Sequence, residues 1–247
     1  VSAVLNEKKV VKRSTREHIL NIIKELNYRP KVNARYLKYG DTGKCIGIIV
    51  KELNYPFFTT IAEGAKEYAI SKGYSLIIAS SDYSHESEKN ITNLFLTKDI
   101  RGAIIAPIVE GDSEIEHLFK LKRLNYPFVL LADVKGIVAN VVEIDNIRAI
   151  NKAVEYLIKN GHKKIVHFAG PPESAHTKER IDGFHNAFSE SPLVFNKNMI
   201  VPIGSHTNES YEKTLKFFRS KKRKDYPTAI VCFNDLQALA VMTALRD

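Results

Sequence analysis

The most concentrated chemistry in this chain is cationic. Residues 1–44 hold eleven Lys and Arg (Lys8, Lys9, Lys12, Arg13, Arg16, Lys24, Arg29, Lys31, Arg35, Lys38, Lys44) against four acids (Glu7, Glu17, Glu25, Asp41), a net of +7, whereas the other 203 residues carry only +2 of the total +9. A basic head on a nearly neutral body suits a polyanionic partner. Motifs for covalent, metal or nucleotide chemistry fail on geometry. The stretch GDTGKC (40–45) has its glycines three residues apart where a phosphate loop needs five, Cys45 stands in place of Ser or Thr, and the loop precedes a strand. No GxGxxG follows a strand, no HExxH or Cys/His cluster is present, and His162 and His167 have poor metal spacing. There is no GxSxG elbow, and no pattern pairs two acids across a site. No cofactor, metal or catalytic residue is therefore expected.

The elements that position these residues fall into two textures. Ser14-Thr15-Arg16-Glu17 fits a capping box, and Ile19, Ile22, Ile23 and Leu26 then share a helical face until Pro30 stops it. Val1, Val4 and Leu5 read as the end of an earlier helix. A second helical stretch near 31–38, too short to be stable alone in water, carries Lys31, Arg35, Lys38 and exposed tyrosines. After Gly43, apolar runs at 45–50, 74–80, 102–108, 128–134, 140–144, 164–170, 199–204 and 229–235 alternate with helical patterns near 58–72, 86–98, 113–124, 146–160, 176–190, 209–220 and 235–246. Such alternation predicts an α/β fold of parallel sheets flanked by helices on both faces. The strands at 128–134 and 140–144 have no helix between them, which places a crossing between two lobes near 143–146. The expected organisation is 1–30 as a basic head, 31–43 as a linker with a short helical stretch, 44–143 as one lobe and 144–247 as the other; the family resemblance described next implies that the head binds DNA and that 31–43 is a hinge. No apolar run reaches the ~20 residues of a membrane span. The N-terminus has no secretory pattern, and Cys45 and Cys232 lie inside strand-like runs, so the chain reads as a cytoplasmic protein with reduced thiols and no membrane partner.

The order VSAVLN (1–6), TRE (15–17), LNYRP (26–30) and NARYL (33–37) closely resembles the head of the lactose/galactose repressor family of bacterial transcription regulators. NYPFF (54–58), IRGAII (100–105), NGHKKI (160–165), ERIDGF (179–184) and FND (233–235) resemble that family's regulatory domain, a periplasmic-binding-protein-like pair of lobes. The resemblance implies a partial helix-turn-helix with Ser2, Ala3 and Asn6 facing DNA. It also implies a hinge helix in which Asn33, Ala34, Arg35, Lys31 and Lys38 approach the minor groove and Leu37 wedges between base steps. Lys12 stands where many members carry the helix N-cap serine, so Ser14 is expected to cap one turn later. Judged against the family, the sequence reads as truncated at both ends, without the first helix and the last strands.

For the cleft, the resemblance implies effector contacts from Phe57, Phe58, Ser174, His176, Arg180, His206, Asn234 and Asp235; core packing is the competing expectation for Phe57 and Phe58, and a salt bridge between lobes for Arg180 and Asp235. A guanidinium fork and a carboxylate can grip vicinal hydroxyls while an aromatic face covers a ring. Ser174 stands where purine-responsive members carry an arginine, which favours a sugar or similar neutral polyol. His206 stands where many sugar-responsive members carry an aromatic residue. The implied function is a ligand-responsive, homodimeric repressor of operator DNA; the rivals are a solute-binding protein with no DNA role and a two-lobed enzyme. Replacing Leu37 by Ala in the full-length protein is expected to weaken operator binding, measured by DNA titration, and unchanged affinity would remove the wedge role.

Overall fold

The computed structural model describes Val4 and residues 12–25, 44–98, 100–109, 114–204 and 206–247. The expected DNA contacts Ser2, Ala3, Asn6, Lys31, Asn33, Ala34, Arg35, Leu37 and Lys38 lie outside the described residues. Helix α1 spans Arg13–Glu25. It begins one residue before Ser14: Arg16 N donates to Lys12 O at 3.0 Å, so Lys12 occupies the cap position and Ser14 sits inside the first turn. Glu17, expected to reach back to Ser14, instead accepts from Arg13 Nε at 3.1 Å, an i,i+4 pair that a helix starting at Arg13 brings into register. The capping-box expectation is corrected accordingly.

The first sheet contains β1 (Cys45–Val50), β2 (Ser75–Ser80), β3 (Ala103–Ile105), β4 (Phe128–Leu130) and β5 (Asn140–Val141), all parallel, in the order β2-β1-β3-β4-β5. Three helices cover it: α2 (Pro56–Ser71), α3 (His85–Thr97) and α4 (Glu116–Arg123). Successive strand residues face opposite layers. Ile48 and Val50 thus pack with Phe58, Ala62 and Ala106, while Ile49 and Ile105 pack with Phe95, Leu118 and Leu121. That two-sided burial is why these strands read as continuous apolar runs.

After β5 the chain enters α5 (Asn146–Lys159), which belongs to a second parallel sheet, β7-β6-β8, formed by β6 (Ile165–Ala169), β7 (Ile200–Pro202) and β8 (Ala229–Cys232). Helix α6 (Ala175–Ser189) packs against α5; α7 (Thr207–Arg219) packs against α8 (Asp235–Arg246). Val154, Ile165, Phe184, Phe188 and Val231 fill one layer, and Phe168, Ile203 and Val241 the other. Several strands are shorter than their apolar runs because the residues past their ends build loops. Past β4, for example, Asp133 N donates to the Glu143 carboxylate at 3.0 Å instead of to a strand. Cys45 and Cys232 are free and lie in different sheets; burial pushes both thiols up, Cys232 to about 12.

One polar pair is sealed inside the first lobe. Glu88 Oε1 lies 2.6 Å from His117 Nε2, and Glu88 Oε2 accepts from Ile108 N at 3.0 Å, in the segment that follows β3. Both side chains are buried, His117 Nε2 donates to the carboxylate, and His117 Nδ1 has no hydrogen-bond partner. Truncating Glu88 orphans two buried donors at roughly 1–3 kcal/mol each. Glu88→Ala is expected to lower unfolding free energy by roughly 2–5 kcal/mol in urea titrations; a loss below 1 kcal/mol would show the pair to be dispensable.

Candidate functional site

The functional candidates cluster where the second sheet's strands end. Gln237, fully buried near the start of α8, ties those ends together. Its Oε1 accepts from Phe233 N at 2.6 Å, and its Nε2 donates to Gly204 O at 2.7 Å and Ala169 O at 3.5 Å. The loops after β6, β7 and β8 are thereby pinned. Helix α8 is capped by Asn234, whose Oδ1 accepts from Gln237 N at 2.7 Å.

Arg180, on α6, reaches into this edge. Its Nη1 donates to the Phe233 carbonyl, its Nε donates to Asn146 Oδ1 at 3.0 Å, and its guanidinium carbon lies 4.3 Å from the centre of the Phe233 ring. Asn146 in turn donates through Nδ2 to Glu179 Oε2 at 2.8 Å and approaches His176 Nδ1 at 3.4 Å. His176 Nδ1 lies 3.3 Å from Glu179 Oε2. Asn146 is the first residue of α5, directly after the chain leaves the first sheet. The approach of α5 to α6 requires Gly183: a Cβ there would meet Ile147 O at 2.3 Å.

Burial draws the Arg180 pKa down from its ordinary value, opposed by Tyr55, Glu179 and Asp235; the group stays cationic. Across from it, Tyr55 caps α2 of the first lobe. Burial raises the Tyr55 phenol, Asp235 and Glu52 raise it further, and Arg180 lowers it. A phenol from one lobe thus shares a field with a cation and a carboxylate from the other.

Of the expected contacts, Arg180 and His176 belong to one hydrogen-bonded network, and Asp235, exposed at the first position of α8, lies in electrostatic reach of Arg180 without an ion pair. Both residues are on the second lobe, so a bridge between lobes is not what joins them. Phe57 is 40% exposed and stacks edge-on against Phe58 and beside Tyr55. Phe58 is corrected to core: it is 7% exposed and packs with Ile48, Val50 and Ala62, because the helical turn of about 100° per residue sends it under the helix. Ser174, at the α6 cap position, is 3% exposed and so is also buried rather than open to the cleft. Asn234 commits its oxygen to a cap. His206, exposed at the start of α7, has no hydrogen bond or ion pair to the Arg180 network. Sequence reasoning missed Asn146 and Tyr55. The former sat at the expected lobe crossing, and the latter inside the NYPFF stretch. Two surface concavities, of about 330 and 460 Å³, are lined by none of the residues of this network. Among the described residues no group of three or more His, Cys, Asp or Glu could hold a metal, and no helix is long and apolar enough to cross a membrane.

A family model described as periplasmic binding proteins and sugar binding domain of LacI family matches residues 43–247, and one described as bacterial regulatory proteins, lacI family, matches residues 1–31. The chain belongs to the LacI family of bacterial regulatory proteins. Among its relatives is the HTH-type transcriptional repressor PurR of Aliivibrio salmonicida, 30% identical over 251 residues that cover 100% of this chain and 73% of the relative. Solved structures with a similar fold include a transcriptional regulator CelR–cellobiose complex (TM-score 0.70, 22% identity, 99% of this chain and 72% of that one). A Caulobacter myo-inositol binding protein bound to myo-inositol is also similar (TM-score 0.73, 17% identity, 82% and 70%). This LacI-family chain matches both the regulators' head and their sugar-binding-type domain, so it is a transcriptional regulator and not a solute-binding protein lacking a DNA role. The relatives are regulators rather than enzymes.

Beneath the site lies His167, fully buried in β6. Its Nδ1 donates to Val231 O at 2.9 Å, its ring stacks on Phe184, and its Nε2 has no partner. Burial pushes its pKa down to about 4; the Val231 carbonyl opposes this and the Arg180 charge adds to it. An unfolded histidine titrates near 6.5. The unfolded chain therefore binds the proton first, and His167's contribution is full above pH ~6.5 and lost as pH falls through about 4. Relative to His167→Asn, the parent is expected to lose roughly 3 kcal/mol more stability between pH 7 and 4 in urea titrations. Parallel pH curves would contradict a neutral buried imidazole.

Proposed function

We propose that this regulator binds a small polar effector, a sugar or similar neutral polyol, between its two lobes and converts lobe closure into a change of operator affinity. Arg180 and Asp235 supply donors and an acceptor for ring hydroxyls, and Phe57 supplies an apolar face. Tyr55 reaches the same ligand from the first lobe. The observation that carries this reading is the Arg180–Asn146 hydrogen bond: it connects the cation facing the cleft to the first residue after the lobe crossing. A ligand that draws on Arg180 therefore acts on the segment about which the lobes move. To regulate, it must bind the two closure states with a difference of ~1–3 kcal/mol.

In this reading residues 1–30 form the DNA-binding head and 31–43 the hinge and linker. Ser2, Ala3 and Asn6 face the major groove; Lys31, Asn33, Ala34, Arg35 and Lys38 line the minor-groove contact and Leu37 wedges it. Lobes 44–143 and 144–247 carry the effector. The chain acts as a homodimer in the cytoplasm, performs no catalysis and uses no cofactor. Support comes from the basic head and from relatives that are transcriptional regulators.

The test is a thermal-shift screen of the full-length protein against sugars, polyols and nucleobases. A ligand at about 100 times its Kd stabilises by ~2.7 kcal/mol. A polyol is expected to raise Tm in the parent and to lose at least tenfold in affinity with Asp235→Asn or Arg180→Lys. A shift produced by nucleobases alone, or one unaffected by either substitution, would overturn the assignment.

A further inference from the structure

The near-neutral body is not evenly neutral. Residues 155–164 and 216–228 contain nine Lys and Arg against two acids, Glu155 and Asp225, a net of +7. Since residues 45–247 sum to +2, the remaining 180 of them carry −5. The two stretches meet at one place. The first is the end of α5 and its loop into β6; the second is the end of α7 and its loop into β8, and β6 and β8 are neighbours. Thr228 N donates to Lys164 O at 2.8 Å, Lys164 Nζ donates to Lys224 O at 2.6 Å, and His162 Nδ1 lies 3.0 Å from Thr228 Oγ1. All nine cations are exposed: Lys159, Lys163, Lys164, Lys216, Arg219 and the run Lys221-Lys222-Arg223-Lys224. This is where β6 and β8 begin, whereas Phe233 and Arg180 lie where they end, so the patch occupies the opposite end of the second lobe from the effector site.

Part of this charge has a local cause. Lys159, Lys216 and Arg219 sit in the last turns of their helices, where cations complement the carbonyl end of the dipole. Lys163, Lys164 and Lys221 to Lys224 lie beyond the ends of α5 and α7, Arg223 and Lys224 in a single 3-10 turn, and among the described residues no carboxylate forms an ion pair with any of them. Six like charges in two hydrogen-bonded loops repel one another unless an anion neutralises them. The loops expose no Leu, Ile or Phe that would anchor a protein hot spot or enter a lipid surface, and Tyr226 packs against Phe218 at 4.8 Å. Five of the six are lysines, point charges suited to phosphates and not to the bidentate reading of bases.

We propose that this end of the second lobe is a sequence-independent binding surface for the phosphate backbone of duplex DNA, separate from residues 1–38, by which the regulator holds a second DNA segment. The proposal goes beyond the effector reading and does not depend on it. The experiment compares the full-length parent with Lys221→Gln/Lys222→Gln/Arg223→Gln/Lys224→Gln on a random-sequence duplex of about 30 base pairs across a salt series. Each lost phosphate contact lowers the slope of log K against log salt by about 0.9, so a decrease of roughly 2–4 is expected. The variant is also expected to lose capture of a labelled second duplex by protein already bound to an immobilised operator, while operator binding itself persists. Lys221→Arg/Lys222→Arg/Lys224→Arg is expected to retain both properties, which separates charge from folding. An unchanged slope with unchanged second-duplex capture overturns the proposal. So does a quadruple variant that loses only its binding to vesicles of anionic phospholipid. Should the quadruple variant melt early, Lys163→Gln/Lys222→Gln is read in the same assay by the same criteria.

Discussion

A guanidinium withdrawn from water needs acceptors, and the way Arg180 finds them organises the second lobe and its border with the first. Desolvating an ion costs several kcal/mol unless hydrogen bonds replace the lost water. Arg180 obtains them from elements far apart in sequence: Asn146 at the start of α5 and the Phe233 carbonyl at the end of β8. Each acceptor is itself held. Asn146 is fixed by Glu179, and Phe233 by the Gln237 side chain that also binds the ends of β6 and β7. The glycine at 183 lets α5 come close enough for Asn146 to reach. Remove any one of these supports and the cation faces an unsatisfied, partly buried environment, which is why a polar network of this kind rigidifies when complete and strains when it is not.

This arrangement bears on how a cleft ligand is felt. The guanidinium has five N–H donors, and two of its nitrogens are engaged with protein oxygens, so it offers a ligand a fork whose direction is already set. Pre-set donors lose little conformational entropy on binding. The Tyr55 phenol stands on the first lobe within the field of Arg180 and Asp235, so the proposed ligand between them would meet groups from both lobes. Differential contact of that sort is what any closure-dependent affinity requires.

Much of the architecture was legible because parallel strands buried on both faces advertise themselves as uninterrupted apolar runs, and all seven helices of the lobes fall within three residues of their expected limits. The site was legible only in part. Phe57 and Phe58 are adjacent and chemically identical, and nothing local distinguishes the exposed ring from the buried one; the geometry of the α2 start decides it. Ser14 and Glu17 have capping-box spacing, yet Arg13 offers Glu17 a competing i,i+4 partner and the helix begins earlier. Glu88 and His117 are 29 residues apart, and Asn146 and Arg180 are 34 apart. Polar pairs at such separations leave no periodic trace, because they depend on which loops the sheet order brings together.

Net charge was the least faithful guide of all. A body carrying +2 over 203 residues suggests little electrostatic character, yet the fold sorts those charges so that one end of the second lobe holds +7 and the rest −5. The sorting follows from topology. In a parallel α/β layer every helix ends at the same edge of the sheet, so cations favoured at helix C-termini accumulate there from α5 and α7 even though some 60 residues separate them. Once that edge is basic, further lysines in its loops raise a field that is not cancelled locally and that falls off only over a Debye length of ~8 Å at physiological salt. The Arg180 edge is spared because it collects helix N-termini, where Asn234 and Asp235 are the favoured kinds of residue. One structural rule thus separates the carboxylate-bearing Arg180 edge from a cationic opposite edge within the same lobe.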